Sequence, residues 1–159
     1  MTATNSKTFS GGQCQCGNIR YRLHGEPLTL YACHCLDCQK QSSSAFGLSM
    51  WVAVKDFELL TGELKFWSTT ADSGDEKRCA FCPECGTRIY HGFDDGSPHI
   101  SIKAGTLDDT SNLDPVAHIW TRRAHRWLHL GRSGVECHDT EPDSFDGILA
   151  AWAERRSRE

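Results

Sequence analysis

Seven of the nine cysteines in this chain fall into three tight groups. Cys14 and Cys16 lie in C-Q-C-G, Cys33, Cys35 and Cys38 in C-H-C-L-D-C, and Cys82 and Cys85 in F-C-P-E-C-G-T. Cys79 and Cys137 stand apart. Nine in 159 residues is about 5.7%, below the roughly 8–10% of small disulfide scaffolds. The opening segment, 1–10, is polar and Thr/Ser-rich and lacks the apolar stretch of a secretory signal. A cytoplasmic location is therefore expected, where thiols stay reduced. Clustered thiols in such a compartment point to metal binding or catalysis.

Each group has its own chemistry. The Cys82/Cys85 pair, followed by Gly86, reads as a zinc knuckle. A tight turn lets two thiolates converge on one ion, and the glycine permits positive φ after the second ligand. Cys14 and Cys16 converge in the same way if the chain bends at Gln15 and Gly17, and the two pairs together complete a tetrahedral four-cysteine site. Such a site ties the start of the chain to its middle and contributes folding free energy. The competing reading of Cys82/Cys85 is a thioredoxin-like redox pair, which needs a βαβ setting that the β-rich surroundings do not offer. The triplet is odd in number. Three thiolates leave a fourth zinc position open, as in catalytic sites, unless His34, Asp37 or a distant histidine fills it. The alternative of three metal-free buried or redox-active thiols is weaker, because clustered thiols oxidise.

Around these groups the pattern is mostly of period two. Ile19, Tyr21 and Leu23 alternate with arginines; Phe46, Leu48, Met50 and Val52 alternate with small or polar residues; Ile100, Ile102 and Ala104 do the same. Leu64, Phe66, Ile89 and Tyr90 mark further short segments, 116–121 is β-rich, and Gly/Asp/Ser clusters at 71–75 and 94–97 punctuate the runs. This predicts a mostly-β domain. Residues 1–8 are expected to be a disordered lead-in. Phe145, Ile148, Leu149 and Trp152 form a helical stripe, predicting a short C-terminal helix packed on the sheet. Thr140 is its expected cap, Pro142 and Asp143 its first turn, and Arg155, Arg156 and Arg158 its basic end. The segment 116–130 is read as extended, so that His118 and Trp120 share a strand face while His125 and His129 do not meet at one ion. Cys79 is expected to be a buried spare thiol, and Cys137 an exposed one in a loop.

The three cysteine motifs, in this order and spacing, resemble the glutathione-dependent formaldehyde-activating enzyme family, whose domain also occurs in centromere protein V. Pro115, His118, Ile119, Trp120 and Trp127 extend the resemblance, which covers about residues 9–130; 131–159 would be a C-terminal loop and helix packed on the same domain. The resemblance implies an Mss4-like, zinc-containing β fold with two zinc ions per chain. It implies a structural zinc on Cys14, Cys16, Cys82 and Cys85, and a catalytic zinc with an open position on Cys33, Cys35 and Cys38. The implied reaction is that of a carbon–sulfur lyase: glutathione, as cosubstrate, adds to formaldehyde to give S-(hydroxymethyl)glutathione. The chain departs from the family pattern at Ser43, where Ser-Gly is usual, at Arg126 before Trp127, where proline is frequent, and in the length of 131–138.

Zinc deprotonates a coordinated thiol, so an open position would hold a substrate thiol as thiolate. Glutathione carries two carboxylates, and Lys40, Arg78, Lys103, Arg122, Arg123 and Arg126 are candidate cationic contacts. His34 is a candidate proton shuttle, although a hydrogen-bonded structural role suits its position better. Three other readings stand beside the first: an enzyme for another thiol or glutathione adduct, a non-catalytic two-zinc scaffold, and a redox sensor using Cys79 or Cys137. The net charge of −4 argues against a nucleic-acid partner, and no apolar run is long enough to span a membrane. The expected partners are a small thiol and a small electrophile; the sequence leaves oligomeric state undetermined.

Overall fold

The computed structural model describes residues 9–71, 74–93 and 96–159. The expected lead-in at 1–8 and parts of both Gly/Asp/Ser turn clusters lie outside the described residues. Within them, the strands in chain order are β1 (Gly11–Gln13), β2 (Arg20–Leu23), β3 (Thr29–Cys33), β4 (Gly47–Ala53), β5 (Phe57–Thr61), β6 (Lys65–Thr70), β7 (Glu76–Phe81), β8 (Arg88–Phe93), β9 (His99–Lys103), β10 (Ala117–Ile119) and β11 (Glu136–Cys137). Two helices join them: α1 (Leu36–Ser42) and α2 (Asp146–Ser157). The mostly-β expectation, with a short C-terminal helix, is met. Among the described residues, no helix is long and apolar enough to cross a membrane.

The strands form two sheets, one ordered β1-β2-β5 and one ordered β11-β10-β3-β4-β9-β8-β7-β6. Neighbours are antiparallel except that β10 runs parallel to both β3 and β11. Alternation along the strands gives the large sheet two chemically different faces. Leu30, Met50 and Ile102 stand in register on one face, with Val52 and Ile100 beside them, all buried. They share one core with Ile19, Tyr21 and Leu23 of the small-sheet side. Tyr21 stacks on Phe57 at 5.3 Å, and Phe57 meets Tyr90 edge-on at 5.2 Å, joining the two layers. Each aliphatic side chain buried here contributes roughly 1.5–3 kcal/mol. The opposite face carries Cys33, Tyr31, Ser49, Trp51, Ser101, Lys103, His91, Cys79 and Lys77, as the same registers require.

α2 covers one end of that second face. Ile148 and Trp152 are buried, and the Trp152 indole donates to the Pro27 carbonyl at 2.9 Å. Phe145, just before the helix, packs on Trp51 with centroids 4.5 Å apart and on Tyr31 at 5.5 Å. The expected start of this helix was too early. Thr140 does not cap it, and Pro142 and Asp143 are outside its first turn; Ser144 Oγ instead accepts from the Asp146 N–H at 3.1 Å. The backbone at 138–140 is engaged elsewhere, the carbonyls of His138 and Thr140 accepting from the N–H groups of Thr121 and Trp120.

The extended reading of 116–130 also stops early. The strand ends at Ile119, because Trp120 turns into the left-handed region (φ 58°, ψ 36°) and Thr121–Arg123 form a 3₁₀ turn. His118 and Trp120 therefore do not share a strand face. Cys137 is exposed as expected, but lies in β11 rather than in a loop.

α1 ends in a conformation that its sequence does not favour. Ser43 adopts φ 51°, ψ 39° while its N–H satisfies the last helical carbonyls. A left-handed residue costs roughly 1–2 kcal/mol with a Cβ and little for glycine, offset in part by glycine's greater freedom when unfolded. Ser43→Gly is therefore expected to raise stability by about 0.5–1 kcal/mol, read from the midpoint of urea unfolding.

Candidate metal centres

The first two cysteine groups sit on matching turns. Around Cys14 and Cys16, the Cys14 N–H bonds the Ile19 carbonyl at 3.0 Å and the Gly17 N–H bonds the Cys14 carbonyl at 3.1 Å. Around Cys82 and Cys85, the Cys82 N–H bonds the Thr87 carbonyl at 3.0 Å and the Gly86 N–H bonds the Cys82 carbonyl at 2.9 Å. Gly17 (φ 81°) and Gly86 (φ 76°) both occupy the left-handed region, as the knuckle reading requires. Thr87 joins the two turns: its hydroxyl accepts from the Gln15 N–H at 3.1 Å and lies 3.2 Å from Cys85 Sγ. That hydroxyl is the main cause holding the Cys85 thiol well below its usual range, at about 5.

The four sulfurs lie within 4.8 Å of one another, with Cys14–Cys16 at 3.5 Å and Cys16–Cys82 at 3.8 Å. Four sulfurs around a tetrahedral zinc, each about 2.3 Å from it, stand about 3.8 Å apart. The donor set and spacing fit one ion closed by four thiolates. Cys14 and Cys82 are buried, Cys16 is exposed, and the Ile19 N–H donates to Cys14 Sγ at 3.2 Å.

The triplet is assembled differently. Cys33 ends β3, and Cys35 is the N-cap of α1, its sulfur accepting from the Cys38 N–H at 3.4 Å. Cys38 then returns over the strand within the first helical turn. Gly47, in register with Cys33, lies beneath it: a Cβ there would make ordinary contact with Cys38, 3.4 Å from its Cβ and 3.6 Å from its Sγ. The three sulfurs fall within 4.8 Å of one another, and no fourth His, Cys, Asp or Glu donor joins them among the described residues. Three thiols so close share their protons. Hydrogen bonds from Cys33 and Cys35 hold Cys38 well below the usual thiol range, with Lys103 and Lys77 adding, while Cys33 is pushed up.

His34 does not complete the set. It leaves the sheet on the face opposite Cys33 and is fully buried, its Nε2 lying 2.9 Å from Nδ1 of His118. Burial first, then the neighbouring His118 and His125, hold its pKa down to about 4. The structural role anticipated for it is half met, since its Nδ1 has no hydrogen-bond partner among the described residues. Asp37 points to Lys77 at 3.5 Å, and His125 bonds Gln39 at 3.1 Å.

The triplet opens on two adjoining cavities. One, of about 270 Å³, is lined by Cys38, Trp67 and Cys79 and by four cations, Lys40, Lys77, Arg88 and Lys103, with Asp37 as the opposing carboxylate. Lys103 is only 8% exposed, so burial pulls its ammonium down. Burial and the cations beside it, Lys103 and Lys77 foremost, hold His91 well below its usual range, hence neutral. The other cavity, of about 110 Å³, is lined by Cys33, Cys35 and Cys38 and by aromatic rings. Of the cationic contacts anticipated from sequence, Lys40 and Lys103 line the larger cavity. Arg78 does not: it stands in register with Gly92 on the other face and packs on Phe66 at 3.9 Å. Arg122 stacks over Trp120 at 5.2 Å, and neither Arg123 nor Arg126 lines either cavity.

Lys77, Arg88 and His91 were missed. Alternation along β7 puts Lys77 on the face of Cys79, a signal present in the sequence. Arg88 reaches that face only through a bulge, where the step from Ala80 to Phe81 is matched by two residues, from Tyr90 to Arg88. Periodicity alone does not reveal it.

The profile of the glutathione-dependent formaldehyde-activating enzyme family matches residues 9–123. The chain belongs to that family. Among solved structures, a crystal structure of a Rhodobacter sphaeroides protein is similar at 16% identity, covering 80% of this chain and 98% of that one with a TM-score of 0.53, a likeness of fold. No curated protein matches the chain.

Two measurements follow from the two centres. Metal analysis of the purified chain is expected to return close to two zinc ions; one ion, or iron, contradicts this assignment. Cys85→Ser is expected to cost several kcal/mol of stability, because a closed ion that spans the two sheets loses a ligand. Cys35→Ser should cost clearly less, both read as shifts in thermal midpoint.

Proposed function

We propose that this member of the family is a zinc-dependent carbon–sulfur lyase that adds a thiol, glutathione, to formaldehyde or a similar small electrophile at Cys33, Cys35 and Cys38. The observation that carries this reading is the cation-lined cavity beside a three-thiol cluster with no fourth protein donor among the described residues. A closed scaffold site would use a fourth ligand. Cys14, Cys16, Cys82 and Cys85 are assigned to a structural zinc. The nine free thiols suit a reducing, cytoplasmic setting.

Zinc, when bound by the triplet, brings an added thiol into its thiolate form at neutral pH. The chain's own residues do the rest. Lys40, Lys77, Arg88 and Lys103 face the cavity where the two carboxylates of glutathione would lie, and a charge-assisted bond to each contributes about 1.5–3 kcal/mol. Lys103 is already desolvated at 8% exposure, so pairing it with a carboxylate relieves a buried charge. Lys77 and Lys103 also offset the negative charge gathered by three cysteine thiolates and a substrate thiolate. Lys77 and His91 line both cavities. The proton that leaves the thiol ends on the carbonyl oxygen, where Lys77 is the donor facing both cavities, and His91 stays a neutral hydrogen-bonding wall.

Lys103→Met and Arg88→Met are each expected to raise KM for glutathione about tenfold, roughly 1.4 kcal/mol, in assays of S-(hydroxymethyl)glutathione formation. With 2-mercaptoethanol, which has no carboxylate, the same variants should change KM far less. Equal losses with both thiols would make these cations structural. Cys35→Ser should remove acceleration for either thiol.

A further inference from the structure

The smaller cavity is larger than formaldehyde needs. Its volume is about 110 Å³, and it opens at the triplet onto the cationic cavity, with Asp37, Cys38, Lys77 and His91 common to both. A molecule of two heavy atoms takes little more than the roughly 30 Å³ share of a water, so most of the space would remain empty. Five rings, Tyr31, Trp51, Phe93, Trp120 and Phe145, make up much of its apolar wall, while Ser49 and Glu141 join the shared Asp37, Lys77 and His91 as its polar part. Tyr31 precedes Cys33 by two residues on the same strand face, about 7 Å along the sheet.

These rings are held firmly. Trp51 Nε1 donates to Tyr31 Oη at 3.1 Å, and the two rings meet edge-on at 6.0 Å. Phe145 closes over both, and His99 stacks on the far side of Trp51 at 4.0 Å. Trp120 is kept in the left-handed region, a conformation that a bulky residue seldom adopts without a constraint, and Arg122 lies across its ring. Phe145 also lies beyond the family match, which ends at residue 123. A segment outside the matched region thus supplies a wall of the site.

We propose that this chamber selects the carbon partner of the reaction, and that the partner is an aldehyde bearing an aromatic substituent. The inference rests on the thiol-addition reading above. The carboxylates of the thiol substrate lie in the cationic cavity, its sulfur at the triplet, and the ring of the aldehyde in the smaller cavity, against the surface that the packed rings of Tyr31, Trp51 and Phe145 present to it. The step is a simple addition. A sulfur–carbon bond forms, the carbonyl π bond opens, and the proton lost by sulfur ends on the new hydroxyl, giving a hemithioacetal with no change in oxidation state.

Two measurements on the zinc-loaded full chain test this. Calorimetry with stable glutathione thioethers separates ring recognition from catalysis: S-benzylglutathione should bind at least tenfold more tightly than S-methylglutathione. Equal affinities overturn the proposal. Exchange NMR then compares hemithioacetal formation from glutathione with phenylacetaldehyde and with formaldehyde. The kcat/KM ratio should favour phenylacetaldehyde, and Phe145→Ala should lower that ratio tenfold or more. Acceleration with formaldehyde alone, or a ratio untouched by Phe145→Ala, overturns the aromatic selectivity and leaves the thiol-addition reading standing. Acceleration with neither aldehyde overturns both.

Discussion

The convergence of two short turns from distant parts of the chain is the constraint on which the rest depends. Cys16 and Cys82 are 66 residues apart, and their sulfurs stand 3.8 Å from each other. Closing a loop of that length costs about 4 kcal/mol by the logarithmic term alone. Thiol–thiol hydrogen bonds are too weak to oppose that. A zinc ion held by the four thiolates, as proposed, would exceed it comfortably, its apparent binding free energy in small peptides being about 10–16 kcal/mol. One knuckle precedes β2 of the small sheet and the other links β7 and β8 of the large one. Their junction fixes the layer spacing within which Tyr21, Phe57 and Tyr90 pack.

With the layers fixed, the large sheet divides its labour by face. One face is given over to burial, with Leu30, Met50, Val52, Ile100 and Ile102 facing the small sheet. The other has no second sheet to meet, so it can carry thiols, cations and aromatic rings at adjacent register positions. Cys33 opposes Gly47, Ser49 opposes Lys103, and Trp51 opposes Ser101, which opposes His91 in turn. A cluster so placed is rigid, because each side chain stands on a strand held by neighbours on both sides. α1 supplies the one part of the cluster that stands off the sheet, and its N-cap is itself a thiol of the triplet.

What the sequence discloses follows from how local each signal is. The cysteine groups are local motifs, and their turns form as spacing and the glycines 17 and 86 suggest. Period-two alternation is local too, so β2, β4 and β9 are legible in 19–23, 46–52 and 100–104. The points of failure are those where tertiary contacts override local pattern. The main chain of 138–140 is occupied by Trp120 and Thr121, which delays α2 to Asp146. Trp120 turns left-handed and ends the strand that 116–130 was expected to continue. Arg78 and Lys77 are adjacent; alternation with Cys79 marks Lys77 for that thiol's face, and the strand register is what brings this face to the triplet. Arg88 depends on a bulge that no periodicity announces.

The same reasoning explains why the site has two compartments rather than one. The triplet lies over β3 and β4, near the middle of the strand order, so the sheet continues past it on both sides. Toward β9, β8 and β7 this face presents Lys103, His91, Cys79 and Lys77. Toward Tyr31 and Trp51 it is roofed by Phe145 from the chain's C-terminal segment. On the proposed reading, a substrate sulfur at the triplet would have cations on one side and rings on the other. The strand-borne cations come from β7, β8 and β9, whereas Tyr31 and Trp51 stand on β3 and β4, the strands beneath the triplet itself. The cation-lined cavity lies within the family's matched region. Phe145, the ring that roofs Tyr31 and Trp51, lies outside it, so this part of the second compartment is set by the chain's own C-terminal segment.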